Sequence, residues 1–123
     1  MKRIVIKGRF PGMNEYIREN RANVHAGNFM KQKHQRIIRS QIRKQTSGKR
    51  GVKTPVLIEF EHCRKDRRSD PDNIAGFFHK VFLDALVQEG IIPDDGWKTV
   101  SGLCDRFTVS PDECVIVTIW ESE

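Results

Sequence analysis

The sequence predicts an α+β domain, a small mixed or antiparallel sheet of about four strands with two main helices, in the order β-α-β-α-β-β. Three observations carry that expectation. Residues 2–9 and 55–63 alternate apolar and polar side chains with the period of a strand. After Asp72, apolar residues recur at helical spacing through Ile74, Phe77, Phe78, Val81, Phe82, Ala85 and Leu86. Two further strand-like runs, residues 98–109 and 113–120, follow each other late in the chain. A length of 123 residues suits one domain, 1–123, with a modest core.

The first strand sets Ile4 and Ile6 against Arg3, Val5 and Lys7, and Phe10-Pro11-Gly12 ends it. Residues 14–28 are polar and read as a loop, either a solvated connection or a substrate-facing segment. From Phe29 to Thr46 the pattern turns helical, with a narrow stripe of Met30, Ile37, Ile38 and Ile42. Ser47 to Gly51 reads as a flexible turn. The second strand, Pro55 to Cys63, opposes Val56, Ile58 and Phe60 to Leu57, Glu59 and Glu61. The second helix closes at Gln88-Glu89-Gly90, with Gly90 suited to the C′ position. Ser110-Pro111-Asp112 marks a turn, so the last two strands are expected to form a hairpin.

Charge narrows the partners. The net charge is +6, and no acidic residue falls between Glu19 and Glu59. That interval holds Arg21, Lys31, Lys33, Arg36, Arg39, Arg43, Lys44, Lys49, Arg50 and Lys53. With no interleaved acid to pair at i,i+4, the helix surface reads as a phosphate-contacting face rather than a merely solvated one. A small-molecule enzyme would leave this basic surface unexplained. Cys63, Cys104 and Cys114 are odd in number and scattered, so a reducing cytoplasm fits better than a disulfide framework. Lys7 interrupts any apolar leader, and no run is long enough to span a bilayer, so no membrane partner is expected. The chain has no nucleophile elbow, P-loop or dinucleotide fingerprint, and no small-molecule cofactor is expected. His25, His34, His62 and His79 lack zinc-ligand spacing with the cysteines.

The chemistry concentrates around Asp70-Pro71-Asp72. Arg64, Lys65, Arg67 and Arg68 run directly into it from the second strand. One reading is structural: Asp70 as N-cap, Pro71 at N1, Asp72 at the positive end of the helix dipole. The other is catalytic. Hard cations such as Mg²⁺ take one or two carboxylates plus water and phosphate, and Asp70 and Asp72 could share one. Asp94-Asp95, an ordinary turn by itself, could complete the site if its loop folds back. The reaction suggested is phosphodiester hydrolysis. Lys80 shares a helix face with Asn73, Gly76 and Asp84, and either pairs with Asp84 or stabilises charge on phosphate. Trp97 and Trp120 read as packing residues, with base stacking the alternative for Trp97.

At these residues the chain resembles the RusA family of Holliday-junction resolvases, small endodeoxyribonucleases of phages and prophages. The resemblance rests on Asp70-Pro71-Asp72-Asn73, Lys80 through Leu86, Gly90-Ile91-Ile92 and Asp94-Asp95, and extends to Pro11, Asn14, Tyr16 and the basic cluster before Asp70. It implies a homodimer that binds four-way DNA junctions and nicks two strands symmetrically with Mg²⁺ or Mn²⁺. Asp70, Asp72 and Asp95 would be catalytic metal ligands, with Asp94 as a further candidate. Lys80 would be the functional lysine. The expected DNA contacts are Lys31, Lys33, Arg36, Arg39, Arg43, Arg64, Lys65, Arg67 and Arg68, with Asn14 and Tyr16. The chain departs from the family pattern at Gly76, where the lysine usually stands. Gly76-Phe77-Phe78-His79 looks inserted, so Lys80 either lies one turn further along a continuous helix or follows a break at Gly76. Two other classes stay open: a nucleic-acid-binding module without cleavage, and a nuclease for flaps or other branched DNA.

Overall fold

A computed structural model describes residues 1–47 and 51–123. Alternation builds the sheet. Strand β1 (Lys2–Lys7) buries Ile4 and Ile6. Strand β2 (Val56–Arg64) buries Val56, Ile58 and Phe60 on its inner face. Strands β3 (Val100–Val109) and β4 (Cys114–Trp120) complete a four-stranded mixed sheet in the order β1-β4-β2-β3. The α+β class therefore holds.

Helix α3 (Pro71–Gln88) forms the centre of the core. All seven apolar positions singled out by its periodicity are buried. Phe78 and Phe82 meet Phe60 of the sheet edge-to-face, with centroids 5.8 and 5.6 Å apart. Gly90 has φ +73°, which a glycine adopts without steric cost. There the Ile91 N–H donates to the Leu86 carbonyl and the Gly90 N–H to the Val87 carbonyl, a Schellman ending.

Two expectations are corrected. Residues 14–28 are not a loop: helix α1 (Met13–Ala22) runs through most of them, and α2 (Val24–Thr46) starts five residues before Phe29. The described order is thus β-α-α-β-α-β-β. Helix α1 buries no residue completely, so its sequence lacks a strong apolar stripe. Its contacts are side-on. Tyr16 packs on Phe77 at 5.3 Å, and Asn20 lies so close to Gly27 of α2 that a Cβ there would sit 2.5 Å from its Oδ1. Asn23 caps α2 by accepting from the His25 N–H at 2.8 Å. Within α2, Ile38 and Ile42 are core while Ile37 is exposed. Of the expected Ser47–Gly51 turn, Ser47 is the left-handed C-cap and residues 48–50 lie outside the described set.

The expected hairpin is also absent. β3 pairs in parallel with β2, from Val56↔Val100 to Arg64↔Val109, and β4 pairs antiparallel on the other side of β2. The Ser110 N–H donates to the Arg64 carbonyl, so the turn crosses the end of β2 instead of joining neighbours. A strand–helix–strand crossover favours a parallel pair, and here it outweighs the local turn signal.

The two sheet edges differ. On β1, the Gln45 side chain exchanges hydrogen bonds with Val5 at 2.8 and 2.7 Å, and Gln41 does the same with Lys7 at 2.7 and 3.3 Å. Helix α2 thereby satisfies that edge. No strand pairs with the outer side of β3 among the described residues. No helix of the described residues is long and apolar enough to cross a membrane.

Candidate metal and nucleic-acid site

Asp70 occupies the N-cap position of α3 with an extended backbone, but its side chain makes no capping hydrogen bond. Its carboxylate is exposed and uncommitted. Asp72, in the first turn and also exposed, accepts only its neighbour's N–H, from Asn73 at 2.9 Å. Both lie at the N-terminal, positive end of the helix dipole. The pure capping explanation of Asp70 therefore loses its main contact.

Arginines surround Asp70. A cavity of about 600 Å³ is lined by Asp70 and Asn73 together with Arg9, Arg18, Arg64 and Arg68. A second hollow of about 250 Å³ runs past Asp70 on the β3 side, between Arg67 and Phe107. Arg64 donates to the Phe10 carbonyl at 3.1 Å; burial, then the nearby Arg9 charge, lowers its pKa. Lys65 is exposed, and its backbone N–H donates to Glu113, which also pairs with Arg9 at 2.6 Å. Arg67 and Arg68 are exposed and make no ion pair among the described residues.

Asn73 closes the cavity from below. Its Oδ1 accepts the Asn14 N–H at 2.7 Å, and its side chain packs against Gly12 so closely that a Cβ there would collide with it. Asn14 is thereby fixed at the rim, whereas Tyr16 is half-buried on Phe77. His34 reaches the same cavity between the rings of Phe10 and Phe77. Burial, then Lys33, lowers its pKa, and its Nδ1 is buried without a partner. Sequence reasoning missed Arg9, Arg18 and His34, which come from three different elements and share no local spacing with Asp70.

Half of the basic face of α2 is paired with acids of α3 and its C-cap. Lys31 pairs with Asp84 at 2.9 Å. Arg39 and Arg43 both hold Glu89, at 2.7 and 2.9 Å. The acids come from a neighbouring helix rather than from i,i+4 positions. Lys33, Arg36 and Lys44 are exposed without an ion pair among the described residues.

The acidic pair after α3 does not fold back. Asp94 Oδ1 accepts from the Gly96 N–H at 2.9 Å and the Thr99 hydroxyl at 2.8 Å; the Thr99 bond, then Gly96, lowers its pKa. It is a turn residue. Thr99 in turn pairs with Val56 at the start of β2, whereas Asp70 follows the end of β2. Spanning 18 residues of helix or nine of strand puts Asp95 roughly 25 Å from Asp70 within one chain. Asp95 itself is exposed. Trp97 beside it is 95% exposed, which removes the packing reading for it in this chain.

Helix α3 is continuous through Gly76. A Cβ at Gly76 would sit 3.2–3.4 Å from the Met13 side chain, so α1 occupies the space where a larger residue would stand. Lys80 is exposed, one turn further along by roughly 6 Å. It does not pair with Asp84, which Lys31 holds.

Asp70 and Asp72 are exposed oxygen donors, the ligand type that a hard dication such as Mg²⁺ takes. Neither a scan against protein-family models nor a search of the curated proteins finds a match to this chain.

Proposed function

We propose that this chain is a metal-dependent, structure-selective endodeoxyribonuclease that resolves four-way DNA junctions, as the resemblance to the RusA family implies. One observation carries the reading: the exposed carboxylate of Asp70, freed from capping, lines a cavity walled by Arg9, Arg18, Arg64 and Arg68, and exposed Asp72 follows two residues on at the same helix start. Acids among arginines suit a dication beside a polyanion. Asp70 and Asp72 would hold Mg²⁺ or Mn²⁺, which when bound supplies water activation and charge stabilisation on the phosphate oxygens. Arg64 and Arg68 neutralise the flanking phosphates, and Asn73 and Asn14 fix the rim that the backbone rests on.

The resemblance implies a third carboxylate, Asp95, which within one chain lies at the opposite end of β2 from Asp70. The homodimer supplies it: Asp95 of the partner subunit meets Asp70 and Asp72, so each site is shared. Mixing Asp72→Asn and Asp95→Asn chains tests this arrangement. Each variant alone is inactive, but a mixed dimer with shared sites has one intact site and nicks one strand. If both groups served the same chain's site, the mixture would stay inactive. Comparing a four-way junction with flap, fork and duplex DNA of equal length tests selectivity. Equal cutting of all four would replace the resolvase by a general nuclease.

A further inference from the structure

His62 on β2, His79 on α3 and Asp105 on β3 converge although 17 and 26 residues separate them. His62 Nε2 lies 2.7 Å and His79 Nε2 2.9 Å from the same oxygen, Asp105 Oδ1. No Lys or Arg pairs with Asp105 among the described residues, so its charge is met by two imidazoles alone. His62 is 1% exposed and held between Phe107 and Phe60, stacked at 5.0 and 6.0 Å. The His79 ring rests on Phe60 at 4.7 Å. Two nitrogens and an oxygen thus lie within 4.8 Å of one another, with both imidazoles held by aromatic packing.

We propose that His62, His79 and Asp105 bind a divalent transition metal of the nitrogen-preferring kind, Zn²⁺ above all. The donor set of two imidazoles and one carboxylate is a Zn²⁺ set and a poor one for Mg²⁺. At bond lengths of about 2.0–2.1 Å, tetrahedral ligands stand roughly 3.3 Å apart, so the two N···O separations must each open by about half an ångström. His79 and Asp105 have room to move, with side chains 22% and 19% exposed, while His62 stays fixed. Their exposure leaves the fourth position to water. The metal joins three elements, and so staples edge strand β3 to α3 and β2. This site is independent of the Asp70 carboxylates and of the nuclease reading.

Titrating the full chain with Co²⁺ as a spectroscopic probe tests the proposal. Expected is saturation near one equivalent with the visible bands of a low-coordinate nitrogen site, displaced by Zn²⁺ and untouched by millimolar Mg²⁺. Binding raises Tm by mass action. His79→Ala and Asp105→Asn, both at half-buried positions, each weaken binding by at least ~10-fold, whereas the Asp70→Asn/Asp72→Asn double variant keeps the bands. Absence of the bands in the wild type, their persistence in both site variants, or their loss in the double variant overturns the proposal.

Discussion

Glu89 shows how the helices hold each other through charge, and Glu89→Gln is the variant that measures it. Arg43 grips both carboxylate oxygens at 3.0 and 2.9 Å, and Arg39 adds a bond at 2.7 Å. The Arg43 hydrogen bond, supported by Arg39 and opposed by burial, pushes the Glu89 pKa down to about 2 from 4.5. Taken at face value, that shift corresponds to roughly 3 kcal/mol. The Glu89 side chain is 11% exposed but Arg43 is 64% exposed, so solvent screening reduces the contribution to about 1–2 kcal/mol. Because the folded pKa lies below the unfolded one, the stabilisation is complete above about pH 4.5 and is lost as pH falls toward 2. Urea denaturation of wild type and Glu89→Gln at pH 7 should differ by about 1–2 kcal/mol. The gap should shrink steadily below pH 4.5. A gap that stays constant down to pH 2.5 would refute the electrostatic reasoning and point to packing.

Phe78→Ala should cost about 3–5 kcal/mol, since Phe78 is 1% exposed and touches Phe10, Phe60 and Phe82; chemical denaturation reads it, and a loss below 1 kcal/mol would contradict its central place. Arg68→Ala should reduce the salt slope of junction binding by about 1 with stability unchanged. Arg43→Ala should do the reverse, lowering stability with little effect on that slope, because its charge is already used by Glu89. Asp94→Ala should lower Tm by removing the Thr99 and Gly96 bonds yet keep metal-dependent cutting, while Asp95→Asn should keep Tm and lose cutting. The opposite pattern would exchange their roles.

The parts of the fold that were legible in the sequence are those whose signal is local and dense. Helix α3 carries an apolar residue at nearly every core position, and β1 and β2 alternate cleanly. Helix α1 hid because its contacts use close approach: Gly12, Gly27 and Gly76 leave room for Asn73, Asn20 and Met13. Glycine and asparagine read as loop residues when their partner is out of sight. The hairpin expectation failed for a related reason, since Ser110-Pro111-Asp112 announces a turn but not which strand lies beside the next.

At the candidate site, the place of Asp70 and Asp72 at a helix start was readable because Asp-Pro-Asp before a periodic apolar run marks an N-terminus. Arg9, Arg18 and His34 arrive from β1's end, α1 and α2, and only folding assembles them. The separation of Asp95 was implicit in the length of α3, which carries the chain away from Asp70 and does not return within this chain. The pairing of Lys31, Arg39 and Arg43 depended on which face of α3 meets α2. His62, His79 and Asp105 show the same limit: three elements, no shared spacing, one carboxylate oxygen.

The nuclease reading turns on a single assay: incubation of a labelled four-way junction with Mg²⁺, Mn²⁺ or EDTA, with wild type beside Asp72→Asn. Paired symmetric nicks in Mg²⁺ or Mn²⁺, lost with EDTA and in Asp72→Asn, are the predicted result. Tight binding with an intact junction in every metal would contradict it, and would make the chain a DNA-binding module whose acids only start a helix and shape a turn.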